Sequence, residues 1–469
     1  MMTGASAVGQ KPLPRPTQSR LVPGQIRRHH ERTGQMAGDG DTEKQMSAPT
    51  NLAMKPVSTG FHLMAKPSGP ACNLDCSYCF YLDKEALFDR KGTRRMAPEV
   101  LEAYVRQTIA TTPADQPVLF AWQGGEPTLL GIPFYQRALE LQRQYGGNRT
   151  IENSFQTNGT LIDEDWAGFL ADNHFLVGLS LDGPAEVHDR YRRYSSGAPS
   201  HHLVMAALER LQRHGVAYNV LACVDRGSSR QPQAIYRFLK QHGVEYIQFT
   251  PVVERMAGAD YAATGFDLAG PGDDGGTEAA PFAVRPREWG RFLATVFDEW
   301  RRKDVGRVFV MNFEWALAAH VGAPGVVCVH QKTCGRALIA EHNGDIYSCD
   351  HFAYPDYRLG NLQHDNLAAM IESSRQREFG QAKFDSLPDQ CRTCPQLDLC
   401  WGGCPKHRFL ASRDGEAGLN YLCEGYLHFF GHARPWLETL GQLLKQGRNP
   451  AEIMAMKRPL TPGANPPNG

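Results

Sequence analysis

Cys72-Asn73-Leu74-Asp75-Cys76-Ser77-Tyr78-Cys79-Phe80-Tyr81 sets three thiols in a C-x3-C-x2-C spacing with an aromatic pair directly behind. Thiolates this close in sequence converge on one point, and soft sulfur ligands favour zinc or an iron–sulfur centre. A closed structural zinc site or an ordinary cubane cluster takes four protein ligands. No fourth stands nearby: the next cysteine is Cys223, and the nearest histidine, His62, lies upstream in a stretch that reads as a strand. Three thiolates on a four-iron cluster leave one iron open to a small molecule, as an open position does in a catalytic metal site. A partial zinc site, or three incidental buried thiols, is the competing reading of the triplet alone.

Outward from this loop, short β-rich runs alternate with amphipathic helical stretches. The strands expected are Phe61–Ala65, Val118–Trp122, Glu152–Gln156, Phe175–Leu181, Tyr218–Val224 and Tyr246–Val252. Leu203–His214 and Ala234–His242 read as helices stopped by Gly215 and Gly243. Such alternation builds parallel βαβ units. Six strands are too few for a closed eightfold barrel, so the fold class is α/β, a partial (βα)6 TIM-like barrel. Function in such a barrel sits on the loops after the strands. The cysteine loop follows the first strand, Gln123-Gly124-Gly125-Glu126-Pro127 the second, Thr157-Asn158-Gly159 the third and Ser180-Leu181-Asp182-Gly183-Pro184 the fourth. Gly124 and Gly125 allow the backbone to approach a ligand closely.

The division expected is an N-terminal extension over 1–55, the barrel over 56–255, an insertion loop and connecting helix over 256–315, a cysteine-rich domain over 316–430, and a C-terminal helix and tail over 431–469. Residues 1–55 carry hardly any apolar periodicity and read as disordered. Arg27-Arg28 is followed by no hydrophobic segment, which counts against a twin-arginine export signal. The Ala-, Gly- and Asp-rich stretch 256–284 reads as a surface insertion. Lys and Arg balance Asp and Glu at 50 each, so nothing suggests a nucleic-acid partner, and the runs Arg192-Arg193 and Arg301-Arg302-Lys303 read as solvated faces. No run of eighteen apolar residues suggests a membrane span. With no signal-peptide h-region and cysteines at metal-ligand spacings, a reducing cytoplasmic setting is expected.

Eight cysteines fill the C-terminal part: Cys328, Cys334, Cys349, Cys391, Cys394, Cys400, Cys404 and Cys423. A pair of zinc ribbons is the rival reading, since C-x2-C alone suits zinc. Three plus four plus four ligands would use eleven of the twelve cysteines, leaving Cys223 as a small core residue in a strand. Asp350, directly after Cys349, reads either as a general base beside a cluster ligand or as a hydrogen-bonder of its own loop.

The three-cysteine loop, Gln123–Pro127, Ser180–Pro184, Cys349-Asp350 and the full cysteine set resemble the anaerobic sulfatase-maturating enzymes, radical S-adenosylmethionine (SAM) enzymes with a C-terminal SPASM domain. The resemblance covers roughly residues 57–430. It implies a SAM-binding four-iron cluster on Cys72, Cys76 and Cys79, with Tyr78, Gly125, Ser180, Arg192 and Val253 around SAM and Gln123 toward the substrate. It further implies two auxiliary four-iron clusters, one on Cys328, Cys334, Cys349 and Cys404 and an outer one on Cys391, Cys394, Cys400 and Cys423, making three [4Fe-4S] clusters in all. The implied reaction converts a Cys or Ser of a sulfatase polypeptide, in a Cys/Ser-x-Pro/Ala-x-Arg segment, into formylglycine without oxygen. A low-potential donor such as ferredoxin or flavodoxin would supply electrons, and Asp350 would take the target's proton. Another SPASM peptide maturase forming thioether or carbon–carbon crosslinks, or an iron–sulfur electron carrier, are the alternatives.

Overall fold

Seven parallel strands run in sequence order across one sheet: β1 (His62–Lys66), β2 (Val118–Trp122), β3 (Ile151–Thr157), β4 (Leu176–Ser180), β5 (Ala217–Val224), β6 (Tyr246–Pro251) and the short β7 (Phe309–Val310). A computed structural model of the chain describes residues 56–87, 95–263, 267–271, 273, 278–323 and 326–460. The expected extension 1–55, and parts of the expected insertion 256–284, lie outside the described residues. The partial barrel expected from the alternation is the architecture observed, with strand ends shifted by at most one residue.

The alternation in each strand explains the layering. In β2, Phe120 and Trp122 turn outward onto the helices Pro98–Thr111 and Ile132–Gly146, where Trp122 meets Tyr104 at 5.4 Å and Tyr135 at 5.6 Å between ring centres, both edge-on. Edge-to-face pairs of this kind add to plain area burial. The alternate residues of the strands, such as Gln156 and Ser180, turn inward and line the barrel's cavity. Proline at the first turn starts Pro98–Thr111, Pro232–Gln241 and Pro286–Lys303, where its missing N–H costs nothing.

Two features extend the plan read from the sequence. After the helices Pro286–Lys303 and Met311–Val321, the chain returns to the far edge of β1. There β8 (Ala337–Glu341) pairs parallel with it, His62 opposite Ala337 and Lys66 opposite Glu341. An antiparallel meander of β9 (Asp345–Tyr347) and β10 (Arg358–Asn361) completes a ten-stranded sheet. The cysteine-rich part thus begins as a continuation of the barrel sheet. Further on, the helix Cys423–Lys445 starts at a cysteine, so the expected boundary at 430 falls inside it. It crosses Pro286–Lys303 backbone to backbone: a Cβ on Gly290 would stand 2.4 Å from the Gly425 carbonyl oxygen.

The two basic runs are not wholly solvated. Arg192 and Arg301 are buried, Arg301 with its guanidinium 3.6 Å from the Trp436 ring centre. Among the described residues no helix is long and apolar enough to cross a membrane.

Candidate active site

At the C-terminal ends of the strands lies a cavity of about 360 Å³. Cys72, Cys76 and Cys79 line it, as does Cys404 of the C-terminal part. Of the residues singled out from the sequence, Tyr78, Gln123, Gly125, Ser180, Arg192 and Val253 also line it. All twelve cysteines are free thiols. Burial pushes the Cys72 thiol up to about 12, and Cys76 and Cys79 rise for the same first reason. Thiols so placed ionise only when a cation takes the sulfur, so metal loading releases protons. Among the described residues no three His, Cys, Asp or Glu side chains converge tightly enough for one ion.

The loop after β2 packs against the cysteine loop with no room to spare. Gly125 donates its N–H to the Gly69 carbonyl at 2.8 Å, and Glu126 donates to that of Ala71 at 2.9 Å. A Cβ on Gly125 would stand 2.0 Å from the Ala71 carbonyl oxygen, next to Cys72, and Gly124 holds φ at +143°. Gly125→Ala is expected to push the cysteine loop aside. Overpacking of this kind costs about 1–3 kcal/mol; if this loop meets SAM as the resemblance implies, that would weaken SAM binding about tenfold, which equilibrium dialysis against labelled SAM measures, and unchanged affinity would show that the loop yields freely.

Glu126, expected only as one residue of the loop after the second strand, is fully buried and knits the strand-end loops together. It accepts from the Thr128 N–H at 3.0 Å and hydroxyl at 2.6 Å, the Thr157 hydroxyl at 2.8 Å and the Asn158 N–H at 2.8 Å. Asn158 in turn donates to Asn73 at 2.8 Å and reaches Cys72 Sγ at 3.7 Å. Burial raises the Glu126 carboxyl, and these donors oppose the rise.

Asp182 organises the opposite wall. It accepts from the Tyr78 hydroxyl at 2.8 Å, from Arg192 Nε at 2.8 Å and Nη2 at 3.1 Å, and from the Cys223 N–H at 2.8 Å. Burial alone would raise its carboxyl; the Arg192 guanidinium outweighs this and holds it below the usual carboxylate range. Cys223, expected as a core residue, is half-buried and lines the cavity beside Arg192, because the inward positions of β5 face the hollow.

The eight C-terminal cysteines fall into two groups that do not follow sequence order. Cys328 and Cys404 lie close enough to Cys349 and Cys334 to oppose their ionisation. Cys391 and Cys394 do the same to Cys400 and Cys423. The second group lines a separate cavity of about 290 Å³. Cys404 thus stands with Cys349, not with Cys391, its nearer neighbour in sequence.

Asp350 follows Cys349 at the start of a short 3-10 turn. It does not hydrogen-bond back into its own loop; its partner is Lys66 at the end of β1, with Nζ 2.7 Å from Oδ1. Lys66 is buried beneath the Tyr81 ring at 4.3 Å, and the Tyr81 hydroxyl donates to both Glu341 oxygens at 2.8–2.9 Å. Burial would raise the Asp350 carboxyl, but Lys66, then His351 and Lys84, hold it below the ordinary range. Its neighbour His351 lines the cavity; Asp350 stands just behind that wall. Lys66, Glu126 and Asp182 were the residues missed. A charged side chain at the C-terminal end of a barrel strand was the available signal for Lys66.

A profile of the Radical SAM superfamily matches residues 67–239, and one of the SPASM iron-sulfur cluster-binding domain matches residues 332–395. With the thiol-lined cavity at the strand ends, this defines a radical SAM protein with a SPASM extension. Over 399 residues the chain is 43% identical to the serine-type anaerobic sulfatase-maturating enzyme of Bacteroides thetaiotaomicron, covering 85% of this chain and 95% of that one. It is 33% identical over 398 residues to the cysteine-type anaerobic sulfatase-maturating enzyme of Clostridium perfringens, covering 84% and 100%. The solved structure of native anSMEcpe with bound AdoMet and Kp18Cys peptide aligns with a TM-score of 0.71 at 32% identity, covering 82% of this chain and 99% of that one. The chain belongs to the anaerobic sulfatase-maturating enzyme family.

Proposed function

We propose that this chain oxidises a cysteine or serine of a sulfatase polypeptide to Cα-formylglycine without oxygen. The observation that carries the reading is sequence similarity, over nearly the whole length of each relative, to both serine-type and cysteine-type maturating enzymes. The donor set fits the cofactors: free, half-buried to buried thiols in three groups, and a glycine cradle at Gly125 that a Cβ would fill. Cys72, Cys76 and Cys79 would hold the SAM-binding cluster. Cys328, Cys334, Cys349 and Cys404 would hold the nearer auxiliary cluster, and Cys391, Cys394, Cys400 and Cys423 the outer one. When bound, these clusters and SAM supply electron delivery, removal of a hydrogen atom from the target's β-carbon, and withdrawal of the remaining electron.

The chain's own residues do the rest. Tyr78, Gly125, Ser180, Arg192 and Val253 surround SAM, with Tyr78 and Arg192 fixed by Asp182. Gln123 orients the target peptide. Asp350, kept ionised by Lys66, accepts the thiol or hydroxyl proton. Apolar walls including Phe249, Trp289 and Phe429 keep water away from the reacting carbon. The partner is a Cys/Ser-x-Pro/Ala-x-Arg segment of a sulfatase, and a ferredoxin or flavodoxin delivers electrons.

Anaerobic incubation with SAM, a reductant and a Cys-x-Pro-x-Arg peptide should yield 5′-deoxyadenosine and the formylglycine peptide, read by mass analysis. A crosslinked peptide, or none altered, would overturn the reading. Three four-iron clusters predict about twelve irons per reconstituted chain; about four, with bound zinc, would remove the auxiliary clusters.

A further inference from the structure

We propose that Glu254 is the docking carboxylate for a cationic side chain of the target peptide, and that Lys406 occupies it until the peptide arrives. The inference rests on the reading that the substrate is a peptide. Among the described residues lining the main cavity, Glu254 is the only carboxylate. Among the same residues the permanent cations are Arg192, committed to Asp182, and Lys406, paired with Glu254. A substrate cation entering here has one anionic partner available, and reaches it by exchange.

Glu254 is well placed for this. It follows β6, where the Val252 N–H donates to Val224 at 3.0 Å, and its own carbonyl accepts from the Ala280 N–H at 2.7 Å. The backbone is therefore pinned on both sides while the carboxylate faces the hollow. Lys406 arrives from the other part of the chain, two residues after Cys404, with its ammonium 4.4 Å from the Phe80 ring centre. Val253, Glu254, His351 and Lys406 also border a second cavity of about 160 Å³, floored by Tyr354, Tyr357 and Phe409. The Glu254–Lys406 pair thus stands at the junction of two hollows. A peptide whose reacting residue sits in the first can send a long side chain into the second, its aliphatic stem along aromatic surface and its charge at Glu254. Exchanging one cation for another never leaves the buried carboxylate unpaired, which is the arrangement that would be costly.

The test reads binding. A fluorescently labelled Cys-x-Pro-x-Arg peptide is titrated by anisotropy against the reconstituted, SAM-loaded enzyme, alongside the same peptide carrying citrulline, which has the shape of arginine without its charge. Wild type should bind the arginine peptide about tenfold or more tightly than the citrulline peptide, the scale of a lost buried charge pair. Glu254→Gln should bind both alike, at the citrulline level, and Glu254→Asp should keep the preference. Lys406→Met should tighten the arginine peptide and leave citrulline unmoved, because the competing ammonium is gone. Iron content tracks cluster integrity in each variant. A Glu254→Gln protein that still prefers arginine would overturn the proposal. So would a Lys406→Met protein that loses arginine affinity as Glu254→Gln does, since the pair would then merely tie two loops together. Failure of the oxidation reading shows separately, as peptide bound and left unoxidised.

Discussion

Replacing Cys76 with alanine should abolish SAM cleavage altogether. Cys72, Cys76 and Cys79 would hold a four-iron cluster with one iron left for SAM, and two thiolates would give it neither a stable seat nor a defined open position. Cys76 lies in the wall of the main cavity, close enough to Cys72 and Cys79 for each to oppose its ionisation. Cys72→Ala and Cys79→Ala should behave alike. Cys394→Ala should act differently, because its group lines a separate cavity; there the loss would fall on the proposed outer cluster and on folding, which metal binding supports. Chromatographic assay of 5′-deoxyadenosine, with iron counted on the same sample, separates the two outcomes. A Cys76→Ala protein that still made 5′-deoxyadenosine would show that the open iron is held elsewhere.

Asp350→Asn should uncouple the reaction. Hydrogen removal from the target requires SAM and a positioned peptide, whereas aldehyde formation also requires loss of the thiol or hydroxyl proton. Asparagine keeps the shape of the side chain but removes the proposed base and the ion pair with Lys66. The variant should cleave SAM in the presence of peptide, while formylglycine yield falls by about a hundredfold or more, the scale of a positioned general base. Deuterium from a β-labelled peptide should still appear in 5′-deoxyadenosine. Wild-type yield of formylglycine would take the base role from Asp350. Loss of SAM cleavage as well would assign it a structural duty beside Cys349.

Much of this was legible in the chain because it was local. The strands announced themselves as short β-rich runs between helical stretches, the cluster loop by its three cysteines, and the close approach at Gly125 by its paired glycines. What escaped reading depended on partners far apart in sequence. Nothing near Lys66 announces Asp350, and nothing near Asp182 announces that it will gather Tyr78, Arg192 and the Cys223 backbone. Cys223 was misread for the same reason: a small apolar residue in a strand belongs to the core only if its face is covered, and the inward face of β5 is not. The pairing of Cys404 with Cys349 follows from chain reversals between them, which spacing does not encode. Family resemblance supplied that grouping in advance; the residues alone did not.

The parallel pairing of β1 with β8 bears on how the protein can be taken apart. β1 is hydrogen-bonded on both edges, to β2 on one side and to β8 on the other. A chain cut ahead of Ala337 would bare one edge of the strand that leads into the cluster loop, leaving a row of unpaired N–H and C=O groups open to another chain. The barrel is therefore not a detachable module that could be produced alone or exchanged between relatives at the loop before β8. A chimera that borrows an auxiliary-cluster domain must bring β8 with it, in register, so that Glu341 again falls opposite Lys66.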